Sequence, residues 1–443
     1  MATFNVSTAA QFQSALNSAK GGDKIVLAAG NYGSAYVQNH NYASAVTITT
    51  SASNPAHFDG LFISNTKNLS LSGLDLGRSL TDGQAEWTQL NYVYNSSNIK
   101  FDNVTFHGSK DNDPTNDGVG LQLTGVVGFS MTNSHFNELY RGIAIQQSSN
   151  LTVKGNDFHT IRSDGMVVAA VDGITIDSNN FSDFRPIIPD HSDFIQFWNL
   201  GQTKGSSNIT IKNNVMFQPE FSGIEGTGTQ GIWISDPMEF GYKNVLIQNN
   251  LIYSNGAYNG LSVNGGDGVQ ILGNTVISQS TDSKDFWVRM DGTTNVTVRD
   301  NIMDNMVLAN MGTMTQSGNI NLSQTPALRS LFDHLNNPAS AADLLTATSG
   351  YKAVATLPSP PVSHAIGSGL GSMLGNATGS SFAKTALSDV LQDSSASAKN
   401  TPFAAAPIVQ DTAASSLHAG LGSAVAHAFG GGAHIFDHFT AMA

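Results

Sequence analysis

Two short stretches concentrate residues able to move protons and hold anions. They are Arg162-Ser163-Asp164-Gly165 and Asp190-His191-Ser192-Asp193, the second running into Phe194-Ile195-Gln196-Phe197-Trp198. Tyr140-Arg141 precede them, and Lys204, Trp233, Asn264 and Arg289 follow. These types suit proton abstraction beside a carboxylate, which needs a cation to neutralise that carboxylate, a base for the proton and an acid for the leaving oxygen. Arg141, Arg162 and Arg289 are the candidate neutralisers, since a guanidinium grips a carboxylate through two parallel hydrogen bonds. His191 or Tyr140 is the candidate base or acid, with Lys204 as a further option. Asp164 and Asp193 fit three roles: orienting His191, ligating Ca²⁺, or serving as a hydrolytic carboxylate pair. Trp198 and Trp233 offer flat faces for sugar rings, and Gln196 and Asn264 complete the substrate-binding candidates. Bland readings stand beside these, because Asp164 before Gly165 suits a turn and Arg162 suits a surface ion pair. The acidic run from Asp111 to Asp117 is a loop rim whose Asp113 and Asp117 are alternative Ca²⁺ ligands.

Residues so far apart in sequence meet only if the chain stacks on itself, and a repeat says that it does. An octad of alternating apolar and polar residues, closed by a turn residue, Asn and an apolar residue, recurs along the chain. Its copies include LSLSGLDL from Leu69, IKFDNVTF from Ile99, LTVKGNDF from Leu151, ITIKNNVM from Ile209 and VTVRDNIM from Val296. Starts lie about 22 to about 36 residues apart, within the range of solenoid repeats. The alternation predicts a short strand with one face inward. The sixth position holds Asn156, Asn179, Asn214, Asn250, Asn274 and Asn301. Stacking predicts these amides in a ladder at strand spacing, about 4.8 Å, with Asn favoured because it tolerates left-handed backbone. A second strand, usually opened by Gly, precedes each octad, as in Gly142-Ile143-Ala144-Ile145 and Gly231-Ile232-Trp233-Ile234.

Aligning these strands superposes Ser163-Asp164-Gly165-Met166 on Ser192-Asp193-Phe194-Ile195. Asp164 then stacks on Asp193, Arg162 near His191, and Arg141 on Asp164. Alternate residues form an outward stripe containing Gln196, Trp198, Trp233, Ser262, Asn264 and Arg289.

The predicted fold class is all-β: a right-handed parallel β-helix over residues 1–327 with an N-terminal capping helix at 8–19 (TAAQFQSALNSA). Residues 328–443 turn to Ala, Ser and Gly, and read as a C-terminal cap and loosely ordered tail. Net charge is −13 with 12% charged residues, which argues against nucleic acid as a partner. There is no Cys, so a disulfide scaffold and a thiolate metal site are excluded. No apolar run is long enough to span a membrane, and Met1-Ala2-Thr3-Phe4 opens no leader peptide, so a soluble protein is expected.

The phrase from Ala15-Leu16 through Lys20-Gly21-Gly22-Asp23-Lys24-Ile25-Val26-Leu27 to Gly30 and Tyr32 resembles the opening of the pectate-lyase-like β-helix superfamily. The Asn octads strengthen the likeness, which covers roughly Met1 to Thr325. That superfamily includes pectate, alginate and chondroitin lyases, mannuronan epimerases and some glycoside hydrolases. Arg162 to Gly165 with Asp190 to Trp198 looks like secreted bacterial β-helix proteins that act on acidic exopolysaccharide. The likeness implies β-elimination on a uronate-containing polymer. The alternatives are hydrolysis through Asp164 and Asp193, C5-epimerisation, and glycan binding without catalysis. Epimerases carry Asp-Pro-His after a Tyr, whereas here Ser192 separates His191 from Asp193, so that alternative is disfavoured. A substrate outside the cell implies export, and the Ala/Gly-rich end with Phe436-Asp437-His438-Phe439 suggests a C-terminal signal for type I secretion machinery.

Overall fold

The computed structural model describes residues 1–50, 55–218, 228–235, 240–278, 286–325 and 329. The expected C-terminal cap, tail helices and export signal lie outside the described residues.

Among the described residues the strands form three parallel sheets, A of 13, B of 12 and C of 11 strands, each linking strands from successive coils. The chain passes A, B, C and back to A. One coil runs through Ser149–Lys154 in A, Asp157–Ile161 in B and Met166–Ala169 in C, and the next opens with Asp172–Asp177 in A. Parallel strands joined this way wind right-handed, because a right-twisted strand packs back on its sheet only in that sense.

Each octad therefore spans two strands and the corner between them. Leu151 to Lys154 lie in sheet A, Gly155-Asn156 turn the chain, and Asp157-Phe158 start sheet B. The first half carries the period-2 pattern, with Leu151, Ile174, Ile209, Val245, Val269 and Val296 in register and buried. Each such side chain contributes about 1.5–3 kcal/mol by leaving water.

The left-handed residue of the corner is the fifth position rather than the sixth. Asn133, Gly155, Ser178, Asn213, Asn249 and Gly273 have positive φ there. The sixth-position Asn is fixed by hydrogen bonding. Asn156 gives its Nδ2 to Asn179 Oδ1 at 2.9 Å, Asn179 to Asn214 at 3.0 Å and Asn214 to Asn250 at 2.9 Å. Asn250 continues to Asn274 at 2.9 Å, and Asn274 to Asn301 at 3.0 Å. Each amide also donates to a backbone carbonyl of the preceding coil, such as Val153 from Asn179 and Ile211 from Asn250. A fully buried ladder is stable only because its polar atoms are paired in this way.

Just past the same corner, Phe106, Phe136, Phe158 and Phe181 stack with centroids 4.6–4.8 Å apart. The helix Ala9–Ser18 closes the first coil, with Thr8 accepting from the Gln11 backbone N–H and Phe12, Ala15 and Leu16 buried. No helix among the described residues is long and apolar enough to cross a membrane.

Candidate functional site on sheet C

The candidate residues gather on sheet C because several of its strands begin at loops rich in Asp, His and Arg. Met166 pairs with Ile195 and Ile195 with Ile232, so Asp193 and Gln230 are partners and Gln196 lies beside Trp233. Trp233 pairs with Ser262 and Ser262 with Arg289, extending one outward row along the sheet. In the other direction the row continues from Ala144 through Gln122 and Tyr92 to Phe62 and Tyr36. Tyr36, Phe62 and Tyr92 form an outward aromatic ladder with centroids 4.9–5.0 Å apart. This ladder was missed in the sequence because its coils carry no charged motif; the period of the strands alone would have found it.

At the start of these strands six residues interlock. Arg141 donates from Nε to Asp164 Oδ2 at 2.7 Å, and Ser163 Oγ donates to the same oxygen at 3.1 Å. Asp164 Oδ1 accepts the Asp193 backbone N–H at 3.1 Å. Asp193 Oδ2 in turn sits 3.0 Å from His191 Nδ1 and accepts from Gln196 Nε2 at 3.3 Å. Asp193 Oδ1 is buried with no hydrogen-bond partner. The Trp233 ring lies 4.1 Å from the imidazole, centroid to centroid, and Trp198 meets Trp233 edge-on at 6.0 Å.

Electrostatics divide the cluster into a buried base and a solvent-facing front. Asp164 and Asp193 are at most 1% exposed, whereas the His191 side chain keeps 29% and Arg141 18%. Burial, reinforced by the Asp164 charge, pushes the Asp193 carboxyl up to about 6, against the pull of His191. For His191, burial disfavours the cation, but the charge and hydrogen bond of Asp193 win and raise its pKa above the ordinary imidazole value. Despite burial, Arg141 is held charged by the Asp164 carboxylate, and its terminal nitrogens make no hydrogen bond to a described residue.

Other candidates are placed elsewhere or engaged. Arg162 forms a fork with Asp190, Nε to Oδ2 at 2.9 Å and Nη2 to Oδ1 at 3.1 Å, and reaches Glu86 with Nη1 at 2.6 Å. It is a buried strut between two loops, and both acidic partners were missed as site-forming residues because they sit in insertions. Tyr140 is wedged between the guanidinium groups of Arg141 and Arg162, 4.9 and 5.1 Å from its ring centre. Burial raises its hydroxyl pKa, so it stays protonated.

Lys204 is exposed, and the carboxylate it acts on is Asp172 at the start of a sheet A strand. The loop carrying it leads into the sheet A strand Ser206–Lys212. Arg289 lies two strands beyond Trp233 in the same row and is paired with Asp291 at 3.0 Å. Asn264 donates to Ser235 Oγ at 2.7 Å, one row over.

Among the described residues, neither expected Ca²⁺ pair belongs to a group of three close carboxylate or imidazole ligands. Asp164 is engaged by Arg141. Asp113 caps the turn Pro114–Asn116 through the Thr115 N–H, while Asp117 fastens Ser109. A shallow concavity on sheet A is lined by Thr210, Leu246, Gln270 and their neighbours, none of them titratable.

Residues 59–235 match the family model described as "Right handed beta helix region". Three solved structures are similar. The Dettilon tailspike protein (gp208) aligns with TM-score 0.48 and 14% identity over 71% of this chain and 63% of its own. The PL6 family polysaccharide lyase Pedsa3628 from Pseudopedobacter saltans aligns with TM-score 0.47 and 11% identity over 81% of this chain and 97% of its own. The A-module of the Azotobacter vinelandii mannuronan C-5 epimerase AlgE6 aligns with TM-score 0.45 and 16% identity over 71% of this chain and 94% of its own. This chain thus spans under two thirds of the tailspike's length. No curated protein matches the sequence. The sheets and the family match define the class: a right-handed parallel β-helix.

Proposed function

We propose that the protein is a polysaccharide lyase that cleaves an acidic, uronate-containing polymer by β-elimination on the outer face of sheet C. The observation that supports this best is the partly exposed His191, held at Nδ1 by the buried Asp193 and flanked by Trp233. Fixing Nδ1 as the donor leaves Nε2 of a neutral imidazole as a base. A uronate ring rests on Trp233 with its carboxylate against the free terminal nitrogens of Arg141, which makes the C5 proton acidic. His191 takes that proton, the C4–C5 double bond forms, and the C4–O4 bond breaks. Tyr140 is assigned the proton that the departing O4 needs, because burial keeps its hydroxyl protonated. The Tyr36-Phe62-Tyr92 ladder gives the rest of a long chain further rings to lie on.

Hydrolysis by Asp164 and Asp193 is the second reading. The raised carboxyl of Asp193 beside an ion-paired Asp164 favours it, as a carboxyl that keeps its proton to higher pH suits the acid role. Their near-complete burial argues against it, since neither oxygen pair meets a sugar without rearrangement. Incubation with a panel of acidic bacterial exopolysaccharides separates the readings. A lyase generates ultraviolet-absorbing unsaturated uronate together with new reducing ends. A hydrolase generates reducing ends alone, and a binding protein neither. Secretion through the C-terminal tail is part of the same proposal, and unchanged export after deletion beyond Asp411 would remove it.

A further inference from the structure

A second cluster lies on sheet B, near the N-terminal end, on strands that the sheet C reading does not use. His57, Asp75 and His107 sit on Ala56–Phe58, Asp75–Gly77 and Thr105–His107, one from each of three consecutive coils. His57 pairs with Asp75, and His107 stands two residues past the partner of Asp75. The two imidazoles are 5.6 Å apart and nearly parallel at 23°, and the Asp75 carboxylate bridges them. Its Oδ2 is 2.9 Å from His57 Nδ1 and its Oδ1 3.3 Å from His107 Nε2. One donor atom from each residue lies within 4.8 Å of the others.

The outward-facing nitrogens are already engaged in the way that ligating histidines require. His57 Nε2 contacts Asp59 Oδ1 at 3.1 Å, and His107 Nδ1 contacts the Gly108 carbonyl at 2.7 Å. A carbonyl only accepts, so His107 Nδ1 carries the hydrogen, and deprotonation at Nε2 presents that nitrogen to Asp75 as a ligand atom. That Nε2 is buried without a hydrogen-bond partner, in a residue only 4% exposed. A carboxylate or backbone carbonyl behind each imidazole is the outer-shell arrangement that fixes tautomer and ring orientation at metal sites.

We propose that His57 Nδ1, the Asp75 carboxylate and His107 Nε2 form a site for a divalent transition metal of the zinc type. Two imidazoles with one carboxylate suit Zn²⁺, whereas Ca²⁺ takes oxygen ligands throughout. Three protein ligands leave the fourth tetrahedral position for water. Lys110 Nζ, 3.2 Å from Asp75 Oδ2 on a half-exposed side chain, supplies the positive charge when no ion is bound and swings away when one is. The bound ion ties three consecutive coils together next to the cap.

The test uses the full chain after treatment with a chelator. Zn²⁺ is titrated calorimetrically, and Co²⁺ serves as an optical reporter of coordination. The expected result is one equivalent of Zn²⁺ and a tetrahedral Co²⁺ spectrum, both lost in His107→Gln and Asp75→Asn. Asp59→Ala, at a partly exposed position behind His57, weakens binding about 10-fold without removing a ligand. The tail histidines offer competing sites, so the comparison with variants decides. Failure to bind Zn²⁺, or binding that neither His107→Gln nor Asp59→Ala alters, would overturn the assignment.

Discussion

The Nδ1 of His191 lies 3.0 Å from Oδ2 of Asp193, two residues on and fully buried at the start of its strand. The contact fixes the imidazole and raises its pKa above the ordinary value, so the base is neutral only at higher pH. The acid limb of kcat/KM is therefore expected above about 6.5, the unperturbed imidazole value. Asp193→Asn removes the charge that raises His191, so the limb moves to lower pH while kcat falls about 10²-fold for want of orientation. A pH–rate profile of the two proteins checks both shifts.

Arg162 and Asp190 are each 7% exposed in their side chains, so their fork is a buried ion pair. Arg162→Ala leaves Asp190 without its partner and is expected to cost about 3 kcal/mol. Urea unfolding measures the loss. The protein that remains folded should keep more of its specific activity than an Arg141→Ala variant, because Arg162 flanks the Tyr140 ring and ties two loops but is not assigned to the substrate carboxylate.

Asn250 joins Asn214 to Asn274 and bonds the Ile211 carbonyl. Asn250→Leu takes away the acceptor of the Asn214 backbone N–H and of one Asn214 Nδ2 hydrogen, and the side-chain donor to that carbonyl, all of them buried. At about 1–3 kcal/mol for each such group, a loss of at least about 3 kcal/mol is expected in denaturant unfolding.

Asp117 is fully buried and, by desolvation first and the nearby Glu138 and Asp111 charges second, its carboxyl is pushed up to about 7. A folded value above the unfolded one means that its contribution to stability is complete below about 3.9 and is lost as pH rises through about 7. Asp117→Asn is therefore expected to raise the melting temperature relative to the parent at pH 8, with the advantage shrinking towards pH 4. Paired thermal melts across that range test the sign.

The octads revealed sheet A and its asparagine ladder because period-2 alternation and a repeated amide survive insertions of any length. Sheet B was hidden inside them, since strands as short as Thr105–His107 show no period of their own. The closeness of Asp164 to Asp193 was legible because both stand at the openings of matching strands. Glu86 and Asp190 were not, because loops bring them to Arg162 without any repeat to align. His57, Asp75 and His107 escaped for another reason: each is a single polar residue in its own coil, and only the register of sheet B places them together.

The most direct test of the proposed chemistry is the rate of unsaturated uronate formation, followed by ultraviolet absorbance, for the parent and His191→Ala on one accepted acidic polysaccharide. The expected result is a steady rise for the parent and a loss of about 10²–10⁴-fold for the variant, with folding and polymer binding retained. An undiminished rate in His191→Ala, or reducing ends released by the parent without absorbance, would contradict proton abstraction by His191.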